Sequence, residues 1–550
     1  MSDESLESSA TARNKRSCRR CNERKVRCDR INPCGACVKA GNLCVFPQPK
    51  RKPRTLNRPP VGVLLTRLRE LETEVHRLRS SKHNESNEDP QHQSSRSSTL
   101  SSDQSSRPPH VDPNPFRLVQ GGLFGRSNHS WPQNTFRQQY LQSSQIEILW
   151  HVYQKNVAPL IAILHRATTA QLVQDVSKGL SIDPASEALL LSVCFAAVVS
   201  MDPIQCQQEL KLEHRTAIRN YETAVDQALS RANLIKSEEV VTLQAAVLYL
   251  LCARVDGDTR IVWAESAVAI RLAQAQGIHR DGKSLGLSAF QTEIRRRLWW
   301  YICILDMLCS EDQAVEMQIR PGTFDTQFPV NLDGDELEPD MLELPAEKKG
   351  FTDITLCIIT SIMINEVHLS PPPLNSGISL QDRKHRIESV GEILHERYLN
   401  HFNLDIPIHW VSATIARLHL SKAWVSVHSQ ISASDLHGSE SEYKDSVFRT
   451  AVELLEFALF LQTNHVTTQW SWLCRSYKQK DVVAYMMSEL SARPLGPETD
   501  RAWDVVTKMT SMWKQGPPGT DGVLEQHIIE LIERIDLLRE AKLESELQFR

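Results

Sequence analysis

Residues 18–44 read CRRCNERKVRCDRINPCGACVKAGNLC, and this stretch decides how the N-terminal part of the chain folds. It holds six of the chain's 13 cysteines. They form two near-identical halves of the pattern C-x2-C-x6-C, and they are Cys18, Cys21, Cys28, Cys34, Cys37 and Cys44. So short a segment cannot bury an adequate apolar core. The dense, repeated cysteines therefore predict a small unit that is held together by bound metal.

The spacing indicates which metal these cysteines bind. Zinc takes four tetrahedral ligands, and a C-x2-C turn brings two thiolates to one ion. Six cysteines complete two zinc sites if two of them are shared. The symmetry of the halves makes Cys18 and Cys34, the first cysteine of each half, the natural bridging thiolates. Neither site keeps a position open for water or substrate, so the sequence predicts two structural Zn²⁺ ions per chain.

The charge of the chain is unevenly distributed. Residues 1–60 carry 15 Lys and Arg against five Asp and Glu, whereas the net charge of all 550 residues is −4. A short cationic end attracts polyanions such as nucleic acid or anionic lipid, while the overall balance argues against a protein that binds polyanions over its whole surface. The sequence thus places a candidate nucleic-acid contact at the N-terminal end.

The N-terminal sequence predicts that the chain stays in a reducing compartment. Residues 1–20 contain no apolar stretch that resembles a secretory signal. Where disulfides do not persist, metal ligation is the better explanation of a cysteine cluster. The scattered cysteines outside the cluster are expected to be small buried apolar side chains, and they are Cys194, Cys206, Cys252, Cys303, Cys309, Cys357 and Cys474.

Residues 18–44 resemble the fungal Zn2Cys6 binuclear cluster transcription factors, whose pattern C-x2-C-x6-C-x5–12-C-x2-C-x6–8-C they satisfy throughout. The resemblance implies that the first helix enters the major groove of double-stranded DNA and reads a CGG-type triplet. It places Lys25 at the base-contacting position with Arg24 beside it, and lysine donating to guanine is the expected pairing. Phosphate contacts are assigned to Arg19, Arg20 and Arg27.

Three further segments follow a polar N-terminal tail (1–17) and the cluster. Residues 45–60 form a basic, proline-rich linker whose KRKPR core reads either as a nuclear import signal or as a merely solvated linker. The import signal would comprise Lys50, Arg51, Lys52 and Arg54. Residues 80–135 are too polar to bury a core and are predicted to be a disordered linker.

Between these linkers, residues 61–79 carry apolar side chains at alternating intervals of three and four, which predicts a short dimerising coiled coil. The seam residues are Val61, Leu64, Leu68, Leu71, Val75 and Leu78. The alternative is a single amphipathic helix that packs on its own chain. Helices of this length are marginal in isolation.

Most of the remaining chain has helical periodicity, so the fold class is mainly α, with one large all-α domain over 140–515. Its longest apolar run, residues 188–199, is too short to span a bilayer and predicts a buried helix, so no membrane crossing is expected. The proline- and acid-rich stretch 321–349 predicts an irregular loop. Residues 521–547 predict an acidic amphipathic helix, which either packs on the core or docks a coactivator.

The run RRRLWW at 295–300 interleaves basic and aromatic residues and permits a second nucleic-acid interpretation. Helical spacing favours a different one, in which Trp299 and Trp300 are core and the arginines pair with acids such as Glu293 or Asp306.

The order of cluster, linker, coiled coil, linker and helical domain also resembles the same family. It implies a homodimeric, nuclear, DNA-binding regulator of RNA polymerase II transcription, with coactivators as further partners and a metabolic gene set, such as a secondary-metabolite cluster, as its target. The alternatives are a repressor, a zinc scaffold for proteins, or an enzyme with an accessory finger. Residues 140–515 contain no HExxH, GxSxG or Rossmann pattern.

Overall fold

A computed structural model describes residues 17–45, 140–369, 380–428, 440–513 and 527–539, apart from four single positions at 32, 43, 142 and 538. The predicted import signal, coiled coil and long linker lie outside these residues. Regular structure in the described ranges is helical throughout and includes no strand, which confirms the mainly α fold class. The chain divides into two compact units, residues 1–58 and 59–550.

The smaller unit contains two short helices, α1 (Arg19–Glu23) and α2 (Gly35–Lys39). The α-helices of the larger unit are α3 (Ser143–Val152), α4 (Arg166–Ser177), α5 (Pro184–Ser200), α6 (Pro203–Glu209), α7 (His214–Arg231), α8 (Val240–Asp256), α9 (Thr259–Ala275), α10 (Ala289–Gln313), α11 (Thr355–Met363), α12 (Leu380–Arg397), α13 (Pro407–His428), α14 (Glu440–Thr463), α15 (Ser471–Cys474), α16 (Lys480–Ala492), α17 (Pro497–Trp513) and α18 (527–537). Two π-helical turns, Tyr153–Val157 and Ile364–Leu369, continue α3 and α11.

Helix α5 is buried on all sides. Asp183 caps it by accepting the Ser186 N–H at 2.9 Å, and Pro184 begins its first turn. It packs against α7 and α8, and every residue from 187 to 200 is buried. The prediction of a buried helix over 188–199 is therefore confirmed. None of the described helices is both long and apolar enough to cross a membrane.

Helix α10 passes through the centre of the larger unit and packs against α8, α9 and α11. Trp299 and Trp300 are buried, as predicted. Arg297 pairs with Glu293 at 3.0 Å, which also agrees with the prediction. The expectation for Asp306 is wrong, because its carboxylate accepts the backbone N–H groups of Gln318 and Ile319. The arginines are thus structural and hold neighbouring segments on α10.

The acidic stretch 321–349 is irregular apart from the 3-10 turn Gly334–Glu336, as predicted. Buried groups attach it to the helices. Glu293 accepts the Val330 N–H, and Asp281 accepts the Gln327 N–H at 3.0 Å while pairing with Arg296 at 2.8 Å. Because these carboxylates bind an arginine and the loop backbone together, the loop is fixed although it lacks regular structure.

Helix α18 packs on the core. Ile528, Leu531 and Ile535 are buried on one face, which favours the core-facing interpretation of this helix over a coactivator-docking one. The seven cysteines outside the cluster are all buried, as predicted.

Asp226 on α7 is a buried carboxylate that makes stability depend on pH. Burial and the neighbouring Glu222 raise its pKa to about 7, from about 3.9 in an unfolded chain. Between these values the folded chain holds a proton that the unfolded chain releases, so the free energy of unfolding falls as pH rises through the window. With allowance for solvent screening, we expect Asp226→Asn to be more stable than the parent by about 1–2 kcal/mol near pH 8 and nearly equal near pH 4.

Urea unfolding of the full chain across this pH range, followed by circular dichroism, measures the effect. Asp340→Asn is the matched control because Asp340 is exposed. Identical pH profiles for Asp226→Asn and the parent would contradict the assignment.

Candidate metal centre and nucleic-acid interface

The two halves of the cysteine unit repeat the same local structure. Cys18 and Cys34 each lie directly before a five-residue helix, and both have an extended backbone conformation. Two positions after each helix ends, the chain has a left-handed residue, Lys25 (φ 52°) in the first half and Gly41 (φ 60°) in the second. The next residue closes the turn with a backbone hydrogen bond to the carbonyl five positions earlier, Val26 N–H to Cys21 at 3.0 Å and its equivalent at 3.1 Å.

The repeat brings all six cysteines together. Their sulfurs form two groups of four in which every pair lies within 4.8 Å, and both groups contain Cys18 and Cys34. The first group adds Cys21 and Cys28, and the second adds Cys37 and Cys44. The pair that belongs to both groups is the pair that sequence symmetry predicts to bridge.

The sulfur spacing suits zinc. A tetrahedral ion with zinc–sulfur bonds of about 2.3 Å requires sulfurs about 3.8 Å apart. The Sγ atoms of Cys18 and Cys34 are 3.7 Å apart, and each lies 3.6 Å from a cysteine of the other half, Cys37 and Cys21 respectively. The donor set is therefore a closed all-thiolate one, which is typical of structural zinc.

Hydrogen bonding lowers the pKa of both shared cysteines. The backbone N–H of Cys21 donates to Cys18 Sγ over 3.4 Å and lowers the pKa of Cys18. Burial raises the pKa of Cys34, but the backbone N–H of Cys37 and the adjacent thiols outweigh burial, so its pKa is also lowered. Hydrogen bonding to Cys18 raises the pKa of Cys21, and burial raises that of Cys37 to about 12.

A contact that sequence reasoning missed joins the halves. Asp29 accepts the Gly35 N–H at 2.7 Å and the Ile31 N–H at 3.2 Å, so it caps the start of α2. A Cβ atom at Gly35 would lie 2.9 Å from the Asp29 carboxylate, which explains why glycine suits this position. The sequence signal for this contact is an aspartate, a residue type that often caps helices, six positions before a glycine.

The five predicted DNA-contacting residues belong to α1 and the turn that follows it. Arg24, Lys25 and Arg27 are exposed, and Arg20 is half-buried on α1. Arg19 is the first residue of α1.

Two families match the chain. Residues 16–53 match the one described as "Fungal Zn(2)-Cys(6) binuclear cluster domain", and residues 150–343 match "Fungal specific transcription factor domain". The chain thus carries both a Zn2Cys6 cluster domain and a fungal specific transcription factor domain, and several of its relatives are named as C6 finger transcription factors. The homologues of this chain are transcription factors, a family that is not enzymatic, which argues against the alternative of an enzyme with an accessory finger. The family match also implies that the cysteine cluster binds zinc.

This Zn2Cys6 protein resembles several fungal regulators. "Aurofusarin cluster transcription factor aurR2" of Gibberella zeae is 28% identical over 372 residues, which cover 66% of this chain and 55% of that protein. "Pyriculol/pyriculariol biosynthesis cluster transcription factor 1" of Pyricularia oryzae is 27% identical over 403 residues, 70% and 53% of the two chains. "Transcriptional regulator nsrM" of Aspergillus novofumigatus is 25% identical over 567 residues, 92% and 77%. The chain spans about half the length of the first two relatives.

Proposed function

We propose that this chain is a zinc-dependent, sequence-specific DNA-binding regulator in which the first half of the cysteine unit reads a CGG-type triplet. All six cysteines would hold two Zn²⁺ ions, with Cys18 and Cys34 bridging. The ions supply the folding free energy of the unit, and the chain's own side chains make every contact with DNA.

The observation that carries this proposal is the conformation of Lys25. A non-glycine residue at φ 52° is disfavoured by about 1 kcal/mol, and glycine adopts this conformation freely. The equivalent position of the second half holds Gly41, at nearly the same φ. The first half thus keeps a strained lysine where the fold accepts glycine, and backbone strain of this kind is concentrated at functional positions.

The charges of the two halves support the same assignment. The five proposed DNA contacts correspond, sixteen positions later in the chain, to uncharged residues in the second half. These counterparts are Gly35, Ala36, Ala40, Gly41 and Leu43. Since phosphate contacts need cations and base reading needs donors, the first half is better equipped to recognise DNA than the second, whose single Lys or Arg between residues 34 and 44 is Lys39.

The remaining proposals rest on sequence and on the relatives. A coiled coil over 61–79 would make a homodimer and set the spacing of two triplets. The segment 50–54 would direct the chain to the nucleus. Two relatives carry the names of biosynthesis clusters, so we propose that this chain regulates RNA polymerase II transcription of one such gene set, with coactivators as further partners.

Replacing Lys25 with glycine tests the recognition proposal. Glycine removes the side chain and suits φ 52°, so zinc binding and fold should persist, whereas alanine would keep the backbone strain. We expect the preference for CGG-containing over scrambled duplexes to fall by about 10- to 100-fold, because one good base contact contributes about 1–3 kcal/mol of discrimination.

The measurement is a binding-site selection with the full zinc-loaded chain, followed by titration of the selected duplex. Arg30→Gly is the matched control, since Arg30 is also exposed and left-handed (φ 66°) but lies outside the proposed contacts. It should leave the preference for CGG-containing duplexes unchanged, and any loss of affinity should be about equal for all duplexes. Unchanged selectivity in Lys25→Gly would exclude the base-reading role, and recovery of single instead of paired triplets would exclude the dimer.

A further inference from the structure

The larger unit contains a cavity of about 600 Å³ whose walls come from three stretches of chain. One wall is the irregular segment 327–330, the second is α11 with the π-helical turn that continues it, and the third is α12. The volume lies within the range of about 300–1,000 Å³ that is typical of small-molecule sites.

The inner surface of this cavity is apolar. Ile358 and Ile362 of α11 and Val390 of α12 face it, and each is at least nine-tenths buried. Phe328 adds an aromatic face from the loop and is itself stacked on Trp300, with ring centroids 4.6 Å apart. Because Trp300 is buried and its indole N–H donates to the Gln327 carbonyl at 3.0 Å, this aromatic wall is held firmly.

The mouth of the cavity is polar and its charges are paired. Arg386 pairs with Glu366 at 3.3 Å, and Arg397 pairs with Glu347 at 3.0 Å. Both pairs are partly exposed. With Asp382 also at the mouth, the carboxylates outnumber the arginines by three to two. There is accordingly no cationic surplus to attract an anion, and the apolar interior disfavours any unpaired charge.

The π-helical turn Ile364–Leu369 places Glu366 at this mouth. Turns of this kind are rare and are frequent at functional sites, since they interrupt the regular hydrogen bonding of a helix. The cavity also extends beyond the region that matches the fungal transcription factor domain, which ends at residue 343, because α11 and α12 follow it.

We propose that this cavity binds one uncharged, predominantly apolar small molecule that carries hydrogen-bonding groups at one end. Its apolar part would lie against Ile358, Ile362 and Phe328. Its polar groups would remain at the mouth, near the Ser389 hydroxyl and the two ion pairs. This site is independent of the DNA contacts, so it stands whether or not Lys25 reads a base.

The test uses the full zinc-loaded chain and prodan, an uncharged dye whose fluorescence increases and shifts to the blue in apolar surroundings. We expect saturable binding of one dye per chain. Ser389→Trp fills the cavity from α12 and should weaken binding about tenfold or more. Glu392→Trp adds the same bulk to the exposed side of α12, outside the cavity lining, and should leave binding unchanged.

A second obstructing variant, Gln327→Trp on the opposite wall, should repeat the loss, and circular dichroism checks that each variant is folded. Equal binding to the parent and both obstructing variants would overturn the site. Preferential one-to-one binding of the anionic dye anilinonaphthalene sulfonate over prodan would overturn the assigned ligand class.

Discussion

Removing zinc from residues 18–44 should unfold the cysteine unit and abolish sequence-specific DNA binding, while the larger unit keeps its helices. The described part of this unit buries little besides cysteine, since its only buried apolar cluster is the sulfur cluster itself. Bound metal contributes on the order of 10 kcal/mol in structural zinc sites, which no other interaction in so small a unit can replace. Chelation followed by circular dichroism and DNA titration measures both effects, and added zinc should restore them.

Single cysteine substitutions separate shared from unshared sulfurs. Cys34→Ala removes a sulfur from both groups of four, whereas Cys28→Ala removes one from the first group only. We expect Cys34→Ala to lose nearly all bound zinc and Cys28→Ala to retain part of it, as counted by competition with a chromophoric chelator. Cys194→Ala, in the buried core of the larger unit, is the control and should keep the parent zinc content. Equal loss in the two cluster variants would contradict the sharing of Cys34.

Replacing Arg297 with methionine should destabilise the larger unit by about 3–5 kcal/mol, because it leaves a buried carboxylate without its partner. Arg297 is 1% exposed, pairs with fully buried Glu293 at 3.0 Å and donates to the Leu332 carbonyl at 2.9 Å. The variant therefore loses the link between α10 and the loop 321–349 as well as the ion pair. Denaturant unfolding measures the stability, and limited proteolysis reports whether the loop is released.

Arg280→Met is the matched control for this experiment. Arg280 pairs with Asp325 at 3.2 Å, but both side chains are about half exposed, so its loss should cost at most about 1 kcal/mol. Adding Glu293→Gln to Arg297→Met should recover part of the stability, since Glu293 is then no longer a buried charge without a partner. A loss no larger than that of Arg280→Met would show that the buried pair contributes little.

Sequence patterns predicted many features of this molecule because the interactions behind those features join residues that are close together in the chain. Cysteine spacing predicted which two sulfurs belong to both groups of four, and continuous apolar character identified α5 as buried. The same reasoning placed Trp299 in the core and Glu293 beside Arg297, four positions apart on one helix.

Contacts between segments that are far apart in the chain could not be predicted from such patterns. Arg296 meets Asp281 across 15 positions, and Arg297 meets the Leu332 carbonyl across 35. Asp306 lies on the same helix as these arginines, yet its carboxylate accepts the backbone N–H groups of Gln318 and Ile319, in the segment that follows the helix. The cavity has the same origin, since its walls are separate stretches that only the packed fold brings together. The left-handed conformation of Lys25 could not be predicted either, because a lysine in the sequence gives no indication of a positive φ.

The repeated halves of the cysteine unit have an evolutionary consequence. Both halves contribute sulfurs to the shared cluster, but the first carries most of the cations and the strained Lys25. Substitutions at Arg24, Lys25 or Arg27 therefore leave the metal ligands and the second half intact. If these side chains read DNA as proposed, target preference is free to diverge by single exposed substitutions, while the duplicated scaffold around them is inherited unchanged.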